Sequence, residues 1–532
     1  MNSKWLVLIL WFAITGFNIN KAFHIDDAFH LEAAKWIAKN PLKPMSGLIN
    51  WTDNPEPMFT SNQPPLFFYL IAVVGELFGY SEVPMHLLES VFAFLALWFF
   101  YKVCTIISPS KGGLLLVFLA FCPAMIVNQN LMLDIPLLSL ELAFIYYLIK
   151  NTTRENAGNY VQALLFLSAA LLMKYSILPL LGVFFVSVLY EKKYKYLFLG
   201  LIPLMVLGLW SLTNFLEFQK IHLLNRPINH SSLLELGKRC VGFIACIGAV
   251  SPFSIALYFG KFPYKIVERI TIAILTAMVV FCLLAYIKII PQRTASDILN
   301  LSFLVNGLGV LLICASEVMS KCRADGTWKW PEKQDVVLLT SFIFLAAFTI
   351  KYAPFIATRH VLLVIPSILL ICGKLVNHLS QKIKILSIAF SLALGSLLAI
   401  SDWEYANFYR EIASMVSVPK GSNVWVSGHW GWQWYSKNIA SGRTRQYGTD
   451  SSIVKKGDYF INPHVAVKPQ LNKKIVLQEV RKIWIEPRFS TFFSVSQNAS
   501  MYFSSYNKGP WNLCRCPVDT IVVSKVVIGN PF

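Results

Sequence analysis

Charged side chains are scarce in this sequence. Only 14% of its 532 residues are Asp, Glu, Lys or Arg, against about a quarter in a soluble globular domain. That scarcity argues against an ordinary water-soluble enzyme. Internal repeats and low-complexity segments are also lacking, as is a glycine-rich phosphate loop in a strand-to-helix context, so no nucleotide site is indicated. The ten cysteines are scattered, and most fall inside apolar runs, where cysteine behaves as a small hydrophobe. The close pair Cys514 and Cys516 has neither a second pair nor a nearby His to complete a zinc site.

What the chain has instead is hydrophobic length. Hydrophobic residues make up 56% of it and the mean hydropathy is +0.56. The apolar residues gather in runs between residues 5 and 401. A bilayer crossing takes roughly 20 residues as a helix, and open strand edges do not survive in hydrocarbon. The pattern therefore predicts an all-α polytopic membrane bundle of about thirteen spans. The run 65–79 is shorter and reads as a helix lying at the interface. Residues 1–16 read as a retained first helix rather than a cleaved leader, because no small-residue cleavage site follows.

The net charge of +19 does not point to nucleic acid, because in such a chain Lys and Arg collect in cytoplasmic loops beside anionic headgroups. With the N-terminus in the cytoplasm, the inside connections carry Lys102 and Lys111, Lys150 and Arg154, the run 191–195, Lys261 and Lys265, and the stretches 321–333 and 374–384. The loop 216–239 fits less well, since four basic residues fall outside. This parity puts the first loop, residues 21–85, the turns at Asp134, Lys174 and Arg359, and everything after residue 401 on the non-cytoplasmic face. Two domains are expected: a transmembrane catalytic domain, 1–401, and an extracytoplasmic α/β domain, 402–532, whose short β-rich runs 423–427, 459–462 and 520–527 are broken by Gly, Pro and polar residues.

The stretch 24–30 reads His-Ile-Asp-Asp-Ala-Phe-His, directly after the first apolar run. Two adjacent carboxylates and two imidazoles at a membrane exit are costly to desolvate, which marks them as functional candidates. Asp26 and Asp27 can serve acid–base chemistry, or they can cap the helix that follows. His24, Asp26, Asp27 and His30 are also conceivable ligands for a divalent metal, though their spacing matches no familiar zinc pattern. Asp134 is a lone acid at a turn, suited to hold an acceptor, to fix the first loop, or to cap a helix. Lys174, Arg359 and His360 at neighbouring turns can bind a phosphate, or the cations can snorkel to headgroups.

Taken in order, these segments resemble the GT-C membrane glycosyltransferases, the superfamily of protein O-mannosyltransferases and lipid A aminoarabinose transferases. Asp26-Asp27-Ala28-Phe29-His30 resembles its first-loop acidic signature, and Gln63-Pro64-Pro65-Leu66 its Pro-Pro-Leu helix. Leu133-Asp134-Ile135-Pro136 resembles its second-loop acidic site, Met173-Lys174-Tyr175 its lysine turn, and Arg359-His360-Val361-Leu362-Leu363 with Pro366 its arginine-led helix. His86 stands where an Arg is common. The resemblance implies a sugar donor carried on polyprenyl phosphate and an acceptor that is a lipid, glycan or protein. It implies Asp26 as catalytic base, Asp27 orienting the acceptor or loop, and Lys174, Arg359 and His360 on the donor phosphate. It also implies a bacterial inner membrane as the setting. In the tail, Gly428-His429-Trp430-Gly431-Trp432-Gln433 resembles a turn found after the bundle in some bacterial members; it can serve acceptor binding or form a domain core.

Two other classes compete. A transporter or lipid flippase would show charges at mid-span and repeated halves, whereas here the charges gather at one face. An oligosaccharide ligase or polymerase would rely on Arg and His of a large loop, which the acidic pair in the first loop speaks against.

Overall fold

The computed structural model describes residues 3–51, 54–109, 112–153, 156–226, 232–287, 289–324, 327–328, 331–442, 444–448, 453–466, 468–487, 491–492, 499–502 and 509–529. Lys111 and Arg154 of the basic connections lie outside these residues. Helices dominate up to Met415, and one continuous apolar core joins the first helix, Ser3–Gly16, to the tail.

Among the described residues, five helices are long and apolar enough to cross a membrane, or six if the pair Leu233–Ala249 and Ser254–Lys261, bent by 89°, counts as one span. This is fewer than the thirteen expected. Several runs fold into helices too short for a straight crossing, such as Gly112–Ala120 with 9 residues and Pro179–Tyr190 with 12. The remainder of those runs forms short connections, for instance Phe121 and Cys122 between Gly112–Ala120 and Pro123–Ile126, both buried. Hydropathy alone does not separate a spanning helix from an apolar turn walled in by protein.

Asp134 opens the helix Asp134–Thr153 and Lys150 lies near its other end, roughly 30 Å away at 1.5 Å per residue. The basic connections meet at the far end: Lys193 and Lys333 both pair with Glu191. Lys333 in turn begins the helix Lys333–Tyr352, whose other end leads to Arg359. The bundle thus has a basic end and an end carrying the candidate site.

Two of the ill-fitting basic residues of 216–239 have structural partners at the site end. Arg226 donates to the carbonyl oxygen of Asn62 (2.6 Å). Arg239 donates to those of Ala353 (2.6 Å), Ile350 and Pro354, covering the carbonyls left open where the helix Lys333–Tyr352 stops.

The expected boundary at 401/402 falls inside a single helix, Gln381–Met415, of 35 residues. The sheet starts only beyond it. Its five strands run in the order Thr444–Gln446, Val424–Val426, Tyr459–Pro463, Ile521–Ile528, Val476–Ile483. The first two neighbouring pairs are parallel and the last two antiparallel. Three of these strands coincide with the β-rich runs read from the sequence.

Candidate active site

The first loop turns sharply before its helix. Ile25 has φ of +49° and is buried. This left-handed conformation is unfavourable for a β-branched residue and persists only where its surroundings enforce it. The turn sends the two neighbouring carboxylates to different partners. Asp27 is fully buried; one oxygen accepts from the backbone N–H of Leu131 and the other from that of His24, both at 3.0 Å. Asp26 keeps its carboxylate at the solvent edge, where Oδ2 receives Nη1 of Arg359 at 2.8 Å.

Asp26 stands at the N-cap of the helix Asp27–Lys39, yet its side chain makes no capping hydrogen bond. Its carboxylate is directed away from the helix end, so capping does not explain it. Asp27 is a loop anchor, with both oxygens on backbone N–H groups.

Asp134 lies beside this pair. Its Oδ1 receives Lys174 Nζ at 3.1 Å, and its charge reaches Arg359. Burial works against the Arg359 guanidinium, but Asp26 and Asp134 outweigh it and hold the group firmly charged. Besides Asp26, Nη1 meets the sulfur of Met132, while among the described residues Nε has no hydrogen-bond partner. His360 completes the set. Burial, followed by the charges of Arg359 and Lys174, pushes its pKa down to about 3, so it is neutral. Its Nδ1 accepts from the N–H of Ala357 at 3.3 Å, which leaves Nε2 as the protonated nitrogen, and the ring also hydrogen-bonds the Phe355 backbone. Asp26, Asp134, Lys174, Arg359 and His360 therefore share one site, although 40 residues separate Asp134 from Lys174 and 333 separate Asp26 from Arg359.

The prolines expected to begin a helix do so, directly before Leu66–Phe78. The N–H of Leu66 donates to the carbonyl oxygen of Leu172 at 3.1 Å, which ties that helix start to the turn bearing Lys174.

Three comparisons bear on this arrangement. Residues 62–214 match the family model described as dolichyl-phosphate-mannose-protein mannosyltransferase. That stretch contains Pro64, Pro65, Asp134 and Lys174, while Asp26 and Arg359 lie outside it. No curated protein matches. Among solved structures, ArnT from Cupriavidus metallidurans bound to undecaprenyl phosphate is 11% identical, with 87% of this chain and 92% of that one covered and a TM-score of 0.48. The archaeal oligosaccharyltransferase AglB from Archaeoglobus fulgidus, in complex with an inhibitory peptide and a dolichol-phosphate, is 10% identical over 87% and 69%, also at 0.48. Arabinosyltransferase EmbB from Mycobacterium smegmatis is 11% identical over 76% and 43%, at 0.33.

The two histidines of the stretch 24–30 are committed elsewhere. His30 has Nδ1 against the carbonyl oxygen of Leu131. Burial lowers its pKa and outweighs the raising effect of Asp26, so the ring is a neutral donor to that carbonyl. His24 faces Asp402 through Nε2 at 3.1 Å. Among the described residues no group of three or more His, Cys, Asp and Glu is placed to hold a metal ion. His86, in the position where an Arg is common, is buried with Nε2 donating to the carbonyl oxygen of Lys21 at 2.9 Å.

The tail turn docks on the first loop. A Cβ at Gly431 would lie 2.5 Å from the carbonyl oxygen of Phe23, so only glycine fits that approach. Tyr435 Oη accepts from the N–H of Phe23 (2.8 Å) and donates to Glu82 (2.7 Å). Gln433 donates to Glu32 at 2.9 Å, and Trp432 is fully buried. These contacts make the turn a packing element holding the loop that carries Asp26.

Sequence reading missed Lys21, Asp402 and Tyr502. Lys21 and Asp402 were visible only as single charges flanking the first and last apolar runs. Nothing in the sequence pairs residues 381 positions apart.

Proposed function

We propose that the protein is an inverting membrane glycosyltransferase that moves a sugar from a polyprenyl-phosphate donor to an acceptor hydroxyl at the extracytoplasmic face. The observation that carries this reading is the Asp26–Arg359 ion pair with Asp134 and Lys174 beside it. It brings a carboxylate and two cations together at the end of the bundle opposite the Glu191–Lys333 cluster. Positive-inside logic makes that cluster the cytoplasmic end. The family match over residues 62–214 supports the same chemistry.

In the proposed reaction the acceptor oxygen attacks the anomeric carbon. Asp26 takes the hydroxyl proton as the new C–O bond forms. The bond from the anomeric carbon to the phosphate oxygen breaks, and its electron pair leaves with polyprenyl phosphate. Arg359 and Lys174 offset the charge that develops on that phosphate, and His360 donates to it as a neutral N–H. Before substrate arrives, Asp26 and Arg359 neutralise each other. A donor phosphate competes for the guanidinium, whose Nε is unused, and so releases the carboxylate to act as base. Asp134 holds Lys174 in place. Asp27 fixes the loop and takes no proton. The acceptor is a lipid, glycan or protein, and the setting is a bacterial inner membrane with the tail sheet outside.

Purified protein given radiolabelled polyprenyl-phosphate sugar and acceptor-containing membrane extract tests the reading. Transfer is expected with the wild type and not with Asp26→Asn. Equal turnover by both proteins would remove Asp26 from the mechanism.

A further inference from the structure

Behind Asp26 lies a second charged cluster that the transfer chemistry does not touch. Asp402, on the helix Gln381–Met415, accepts at Oδ2 from Lys21 Nζ (2.8 Å) and at Oδ1 from His24 Nε2 (3.1 Å) and the Tyr502 hydroxyl (3.0 Å). Lys21 also donates to the carbonyl oxygen of Val127 at 3.1 Å. The backbone N–H of His24 donates to Asp27 Oδ2, and its ring Nδ1 stands 3.7 Å from the same oxygen. The side chains of Lys21, His24, Asp27 and Asp402 are at most 1% exposed. Buried ions at this depth are tolerated only when their charges balance and their hydrogen bonds are made. Two carboxylates and Lys21 balance when His24 carries the fourth charge.

This cluster encloses the strained residue. Ile25 lies between His24, tied to Asp402, and Asp26, tied to Arg359. Asp27, directly beyond, is bolted to Leu131. We propose that Asp402 is a positioning residue for Asp26: acting through His24 and Asp27, it holds Ile25 in its left-handed conformation and so aims the Asp26 carboxylate at the donor-phosphate site. The role of Asp26 rests on the sugar-transfer reading; the restraint on Ile25 does not.

The charge state of His24 agrees with this. Burial disfavours the protonated ring, but Asp402 and Asp27 outweigh it and raise its pKa. The groups facing it are Asp402 and Tyr405 from the last helix, Tyr502 from the tail, His86 from the helix Glu82–Ile107, and Lys21 and Asp27 from its own segment. Only the two carboxylates favour the charged ring. His24 is thus the cationic link between them, and the link weakens as pH rises.

The test compares Asp402→Asn, His24→Gln and Tyr502→Phe in the full-length protein. Hydrogen exchange is measured over residues 22–31 and 127–132, with the strand pair Val476–Ile483 and Ile521–Ile528 as internal reference. In Asp402→Asn, exchange over 22–31 is expected to rise about tenfold while the reference pair is unchanged. Its kcat is expected to fall ten- to a hundredfold, the scale of a small misplacement of a catalytic group, with the donor KM within about twofold, as the phosphate ligands are untouched. His24→Gln keeps a donor toward Asp402 but cannot titrate, so the alkaline loss of kcat expected of the wild type should be absent from this variant. If Asp402→Asn does not fold, Tyr502→Phe and His24→Gln decide, each expected to speed exchange over 22–31 by at least twofold. Unchanged exchange in the folded variants overturns the proposal, as does a rise spread equally over the reference pair. If the wild type transfers no sugar, the functional reading fails, and the exchange data alone decide the positioning role.

Discussion

Asp26 and Arg359, 333 residues apart, are joined by a 2.8 Å contact between Oδ2 and Nη1. It links the first loop to the turn after the helix Lys333–Tyr352. Because each partner is charged and largely buried, the contact fixes the geometry of the site in the absence of substrate, and each partner has a separate consequence when replaced.

Asp26→Asn keeps shape and hydrogen-bonding capacity but removes the proposed proton acceptor. Transfer should fall by about a hundredfold or more, the usual worth of a positioned general base. Binding of polyprenyl phosphate, followed by intrinsic fluorescence, should hold or strengthen, because Arg359 loses its competing anion. Loss of binding equal to the loss of rate would contradict the assignment.

Arg359→Lys retains charge but not the planar fork. A lysine meets phosphate as a point charge, so donor KM should rise about tenfold while kcat changes less. The comparison of kcat with KM in steady-state kinetics checks this.

Lys174→Ala strands Asp134, whose side chain is 5% exposed, beside an empty position. Breaking a buried pair from one side costs on the order of 3 kcal/mol. The double variant Lys174→Ala with Asp134→Ala should recover part of that loss in a thermal-unfolding cycle. Strict additivity of the two single changes would deny the coupling.

His222 supplies a pH prediction. Trp210 donates to the Tyr175 hydroxyl at 2.9 Å, and that hydroxyl is hydrogen-bonded to His222 Nδ1 at 2.8 Å. Burial, with the charge of Arg226, lowers the pKa of His222 to about 4. A depressed value means that the folded state is favoured by the neutral ring above the ordinary value of about 6.5. This contribution should be lost as pH falls toward 4. His222→Gln should flatten that part of the stability-versus-pH curve; an unchanged slope would exclude His222 as its source.

Gly431→Ala places a methyl carbon 2.5 Å from the carbonyl oxygen of Phe23. Overpacking of this kind costs about 1–3 kcal/mol. Because the strain falls on the segment leading to Asp26, transfer should drop along with the melting temperature.

Much of this was legible in the chain. The acids at 26, 27 and 134 and the cations at 174 and 359 stood out because polar groups bordering long apolar runs are costly and need partners. The strand runs near 424, 459 and 521 were visible as β-rich segments between turn residues. The number of crossings was less legible, because an apolar run such as 112–126 folds as two short helices joined by buried residues rather than as one straight helix. The division of labour between Asp26 and Asp27, which are chemically identical neighbours, was not legible.

By itself the sequence determined that the chain belongs in a bilayer and that a handful of ionisable groups stand at the ends of its apolar runs, since composition and the length of those runs dictate both. Only the tertiary structure decided which charge meets which. Lys21 found Asp402 and Asp26 found Arg359 because packing of distant helices brought them within hydrogen-bond reach. The left-handed turn at Ile25, stable only inside that packing, sent one carboxylate inward as an anchor and left the other facing the site.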